Sequence, residues 1–183
     1  MSKVFLGGSR NLGRINPAIT TRLRNLITNK HTVLIGDANG VDKAVQTFFA
    51  EVGYRDVVVY CMDRVCRNNV GNWPIKSIDS GGKKKGFAYY AMKDDQLSRD
   101  ADFGFMIWDG KSKGTLNNVL NLVQQGKLAF VYLSPSREFI RIKTTDDVGS
   151  LVKSCSTELV DYFNKKIKLE KRVASSHQVA LSF

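Results

Sequence analysis

Three short turns concentrate the residues able to do chemistry. The first is Gly7-Gly8-Ser9-Arg10, directly after an apolar run. Glycines let backbone N–H groups approach a phosphate closely, and a helix that follows presents its positive end. Ser9 adds a hydroxyl and Arg10 a charged fork. The second turn is Gly36-Asp37-Ala38-Asn39-Gly40-Val41-Asp42. Asp37 or Asn39 suits the cap of the next helix. Two acids and an Asn at one strand end exceed what a cap requires, and they also suit ribose hydroxyls. The third is Trp108-Asp109-Gly110-Lys111-Ser112-Lys113-Gly114-Thr115. It lacks the G-x-x-x-x-G-K-[ST] spacing of an ATPase loop. Its backbone amides, Ser112, Thr115 and the helix start still suit a phosphate. Trp108 reads either as core or as a stacking surface for a base. Lys93-Asp94-Asp95, on the helix before the fourth strand, face either the same crevice or solvent.

The elements that carry these turns alternate along the chain. Apolar strand patterns cover 3–6, 32–35, 56–60, 103–108 and 128–133. Helical stripes lie between them, the first opened by Pro17 and carrying Ile19, Leu23, Leu26 and Ile27. From Asp63 to Lys85 the pattern breaks into a long irregular segment rich in Asn and Gly. The order predicts an α/β, Rossmann-like, doubly wound and mostly parallel sheet of about five strands, with helices on both faces. In such sheets ligands sit beyond the carboxyl ends of the strands, where all three turns fall. Residues 1–134 are expected to form the ligand-binding domain. Residues 135–183 form an appendage of one strand (139–143) and one helix (about 148–169), packing on that domain or on a partner. The last residues, from Ala174, read as frayed or partner-bound.

The chain carries 28 basic and 17 acidic residues, a net charge of +11, which favours phosphorylated or polyanionic partners. Lys83-Lys84-Lys85 and residues 165–172 hold much of the excess. No apolar run approaches a membrane span, and the N-terminus enters a strand too early for a signal peptide. Cys61, Cys66 and Cys155 match no common zinc spacing. They read as free thiols in a reducing, cytoplasmic compartment. No metal or cofactor is expected.

Taken together, GGSR, GDANGVD and the acid-rich helix leading into DGKSKGT resemble the SLOG superfamily. That Rossmann-like group contains the LOG phosphoribohydrolases and the DNA-processing protein DprA. The resemblance runs from about Val4 to Leu133 and is strongest to the small bacterial and phage branch. It implies a nucleotide or nucleotide-sugar ligand and a homodimer or higher homo-oligomer. In the LOG enzymes an Arg and a Glu carry hydrolysis of an N-glycosidic bond; here Lys93 and Asn118 stand at those positions. An amide cannot act as a general base or steady an oxocarbenium ion as a carboxylate does. The resemblance therefore does not carry LOG-type hydrolysis onto these two residues.

Three functions follow, in order of preference. The first is binding, for sensing or sequestering, of an ADP-ribose-like or cyclic nucleotide. Gly8, Ser9 and Arg10 would hold one phosphate, and Ser112, Gly114 and Thr115 another. Asp37 and Asp42 would take the ribose or order the loop, and Gly7, Gly36, Asn39, Gly40, Lys93, Asp109 and Gly110 complete the expected ligand-binding set. The second is an N-glycosidase acting on a nucleoside monophosphate or NAD-like substrate, with Asp94, Asp95 or Asp109 as the acid. The third is single-stranded nucleic-acid binding, with Lys83–Lys85, Phe87, Tyr89 and Tyr90 as a basic and aromatic platform.

Overall fold

The computed structural model describes the backbone of residues 1–180 and the side chains of residues 1–168. Its strands are β1 (Lys3–Gly8), β2 (Thr32–Ile35), β3 (Val57–Met62), β4 (Ile75–Ile78), β5 (Phe103–Trp108), β6 (Ala129–Leu133) and β7 (Glu138–Ile142). Its helices are α1 (Pro17–Thr28), α2 (Val41–Glu51), α3 (Phe87–Asp100), α4 (Lys113–Gln124), α5 (Thr145–Lys153) and α6 (Thr157–Ala180). The strands make one Rossmann-like sheet in the order β4-β3-β2-β1-β5-β6-β7, parallel except for β7. The chain winds outward from β1 to β4 and then returns to add β5 on the other side of β1. Its topological switch point is therefore the β1/β5 boundary.

Both faces of the sheet are covered, as the unbroken apolar strands require. One core joins Val4, Leu6, Val33, Ile35 and Ile107 to Leu23 of α1 and Phe49 of α2. The other joins Phe5, Met106 and Val131 to Leu97 of α3, Leu120 of α4 and Val152 of α5. Asn16 caps α1 by accepting from the Ile19 amide, and Pro17 fills the first turn, where its missing N–H costs nothing. Among the described residues no helix is long and apolar enough to cross a membrane.

The structure departs from the sequence reading in four places. The sheet has seven strands and not about five, because β7 of the expected appendage joins it beside β6 and β4 forms inside the segment read as irregular. β4 was illegible because it is an exposed edge strand, with Ile75 half exposed, and so lacks an apolar run. The C-terminal helix is two helices, broken after Lys153, with α6 opening at Thr157. Neither Asp37 nor Asn39 caps α2, whose cap residue is Gly40 without a side-chain bond. Cys61 and Cys66, read as free thiols, are paired as a disulfide, and Cys155 is free. The reason is a tight reversal after β3: Asp63 and Arg64 take left-handed backbone angles, and Val65 bridges back to Met62. Those turns bring the two cysteine Cα atoms to 5.1 Å. The reducing-compartment reading no longer rests on this pair. The tail from Ala174 has no described side chains, and residues 181–183 lie outside the described residues.

Candidate ligand crevice

The three turns converge at the β1/β5 switch point. Gly8 sits at the end of β1, and a side chain there would overlap the Ile107 carbonyl of β5. Its absence lets the two strand ends close together. Just beyond, Ser9 is fully buried and locked to the third turn. Its Oγ donates to Asp109 Oδ1 at 2.9 Å and accepts from the Asp109 amide at 3.0 Å. Asp109 also accepts from the amides of Lys111 and Ser112, and Ser112 caps α4 by accepting from the Thr115 amide. Ser9, Asp109, Ser112 and Thr115 thus form one internal lattice that joins the first and third turns. Trp108 belongs to that lattice: it is wholly buried and its indole donates to the Ser112 carbonyl.

The second turn holds a buried charge cluster. Asp37 is 2% exposed and accepts both arms of the Arg67 guanidinium, at 2.6 and 3.1 Å. Lys93 of α3 lies 3.5 Å from Asp37 and 3.3 Å from Asp94. Gly36 makes room for this arrangement, since a side chain there would collide with the Asp42 carboxylate and the Lys93 ammonium. Burial would raise the Asp37 carboxyl, but the Arg67 hydrogen bonds and the Lys93 charge hold it below the usual range. Burial pushes Asp42 up to about 6; Lys93 opposes the rise and Asp94 adds to it. Burial disfavours the Lys93 charge, yet Asp94, Asp42 and Asp37 outweigh it and keep the ammonium protonated.

Above these turns opens a crevice of about 1070 Å³, between α3, α4 and α6. Gly7, Gly8, Arg10, Gly36, Asp42, Asp94, Asp95, Asp109, Ser112, Gly114 and Thr115 all line it. Asp37 and Lys93 lie beneath, buried. Gly40 packs against the backbone of Arg10, with φ +79, a conformation that favours glycine. Gly110, also at positive φ, faces a second, smaller groove beside Leu133 and Cys155. Asn39 is exposed and accepts from Asn68. Asp95 is ion-paired with Arg99 one helical turn on. Of the aromatic platform, Phe87 is 59% exposed and Tyr90 half-buried, and both line the crevice. Tyr89 is buried and donates to Asp63.

Several residues in or beside the crevice were missed in the sequence. Arg67 comes from the segment read as irregular, where a lone Arg gives no signal. Besides gripping Asp37, it stands over the Tyr90 ring at 4.5 Å, with Arg10 at 5.2 Å from the same ring. Tyr162 and Lys166 of α6 both donate to Asn117 Oδ1, at 3.0 and 2.6 Å. Their spacing of one helical turn was the available signal, but nothing in the sequence said which face α6 presents.

No family model and no curated protein matches this chain. The fold does have a solved likeness. It is similar to DNA processing protein A from Helicobacter pylori, solved for its unique single-stranded DNA binding mode. The match has a TM-score of 0.56 at 18% identity, over 91% of this chain and 80% of that chain. At that identity the likeness is one of fold.

Proposed function

We propose that the crevice binds single-stranded nucleic acid. The observation that carries this reading is the pair Phe87 and Tyr90 on the crevice wall, with Phe87 largely exposed. Exposed aromatics beside cations are what a single strand stacks on, because every base has a π-face. Arg10, Lys111 and Lys165 line the same crevice, and the exposed Lys83–Lys85 lie just before α3. The net charge of +11 supplies the long-range attraction. The structural neighbour supports the reading, since it binds single-stranded DNA on a similar fold. SLOG kinship and self-association, as the sequence motifs imply, belong to the same proposal. Fluorescence titration of a labelled single strand at low and raised salt tests it. Saturable binding that weakens steeply with salt is expected, and no binding at low salt would refute it.

A second reading is a nucleotide-derived small molecule, ADP-ribose-like or cyclic. It is favoured by the polar floor that Asp42 and the second turn give the crevice. It ranks below the strand because Ser9, Asp37 and Asp109 spend their polar atoms on one another's turns and on Arg67. Hydrolysis ranks lower still, as each candidate acid is engaged: Asp94 with Lys93, Asp95 with Arg99, and Asp109 with Ser9. Calorimetry with ADP-ribose and cyclic nucleotides separates the small ligand from the strand.

A further inference from the structure

Cys61 and Cys66 lie five residues apart across the reversal after β3. Cys61 is fully buried in β3, where it pairs in register with Ser77 of β4. Cys66 is half-buried and follows Val65, which is largely exposed. The disulfide therefore has one end fixed in the sheet and one end that solvent reaches. Between the two cysteines, Asp63 and Arg64 take φ of +50 and +62. Side chains other than glycine hold that region at a cost. Asp63 is anchored by accepting from the Ser80 amide and the Tyr89 hydroxyl, and the Val65 amide donates back to Met62. The disulfide joins Cys66 itself to the sheet. The next residue is Arg67, whose amide and guanidinium both donate to Asp37 and whose guanidinium stands over Tyr90 of the crevice wall.

We infer that the Cys61–Cys66 pair is a redox switch that sets Arg67 against Asp37 and Tyr90; its effect on binding rests on the single-strand reading above. Reduction runs by exchange with a dithiol donor. A donor thiolate attacks the reachable Cys66 Sγ, the Cys61–Cys66 bond breaks, and Cys61 leaves as a thiolate that takes up a proton. The donor's second thiolate then displaces Cys66, which takes up the other proton, and the donor departs as its own disulfide. Two electrons pass from the donor to the pair. Released from Cys61, Cys66 lets the reversal relax, and Arg67 loses the anchor that aligns it with Asp37 and Tyr90. The oxidised chain has its crevice wall set, and the reduced chain has it slack.

The test compares full-length wild type and Cys66→Ser after diamide and after dithiothreitol. Cys66 is partly exposed, so the serine variant leaves the core intact. Alkylation counts the thiols, hydrogen exchange follows residues 63–70, and fluorescence anisotropy follows a labelled single strand at low salt. Oxidised wild type is expected to keep Cys155 as its one free thiol, and reduced wild type to show all three. Reduction is expected to speed exchange and to weaken strand binding by about two- to tenfold, the share of one ordered side chain. Re-oxidation is expected to restore both, and Cys66→Ser to match reduced wild type under either treatment. Three free thiols after oxidation, exchange that ignores reduction, or a redox response that survives in Cys66→Ser overturns the switch. Equal strand affinity of the two wild-type states overturns its control of the crevice. Binding in neither state overturns the strand reading alone, because thiol count and exchange test the switch without a ligand.

Discussion

Arg67 closes both arms of its guanidinium on Asp37, with Nη2–Oδ1 at 2.6 Å and Nε–Oδ2 at 3.1 Å. This contact ties the loop after β3 to the end of β2, thirty residues earlier in the chain. Through the same side chain it props Tyr90, whose ring lies 4.5 Å from the guanidinium. A half-buried ion pair beside the crevice therefore steadies its aromatic wall.

Removing Asp37 leaves Lys93 and Arg67 facing each other with one fewer carboxylate. Breaking a buried pair by deleting one partner costs about 3–5 kcal/mol. Arg67 keeps a third of its side chain in solvent, so Asp37→Ala is expected near the lower end. A urea midpoint unchanged from wild type would contradict the role of this pair.

Asp42 gives the fold a pH-dependent component of its own. Its carboxyl is raised to about 6 from an ordinary 3.8, so in that interval the folded state holds a proton that the unfolded state releases. Its contribution is present below about pH 4 and is lost as pH rises through about 6. Asp42→Asn removes the titration. Measured against wild type, the variant is expected to gain on the order of 2 kcal/mol between pH 4 and pH 7. A stability difference that stays flat across that range would disagree.

Glycine at position 8 is required by the approach of β1 to β5. A methyl there meets the Ile107 carbonyl, which is backbone and cannot move aside. Gly8→Ala is expected to destabilise by about 1–3 kcal/mol, as overpacking does. Gly13→Ala, with open space around it, is the control and is expected to leave thermal unfolding unchanged.

Much of this arrangement was readable in advance. The parallel order followed from apolar strand runs alternating with helical stripes, and the three turns indeed meet at one sheet edge. Burial was harder to read. Ser9, Asp37 and Asp109 carry groups that suit a ligand, but the fold spends them on internal contacts: Ser9 to Asp109 across 100 residues, and Asp37 to Arg67 across 30. Such partners are long-range, so no local pattern announces them. Arg67 and β4 were hidden for related reasons: one is a single charge in a polar loop, the other a half-exposed edge strand. Phe87 and Tyr90 were singled out with Tyr89, and only the helical rotation of α3 distinguishes the buried ring from the two at the crevice.

Exposed lysines before α3 govern the electrostatic share of strand binding. Replacing Lys83, Lys84 and Lys85 with alanine is expected to reduce the slope of log affinity against log salt by about 0.7 for each phosphate that is no longer neutralised. Folding stability is expected to stay within about 0.5 kcal/mol, since all three are on the surface. An unaltered slope would place the strand elsewhere on the molecule.

The most direct measurement compares wild type with Phe87→Ala/Tyr90→Ala in anisotropy titrations of a labelled single strand at low salt. Each stacked base contributes about 1–3 kcal/mol. The double variant is therefore expected to bind at least about tenfold more weakly, while keeping its melting temperature within a few degrees. Equal affinity of the two proteins, or no binding by wild type, would contradict the account.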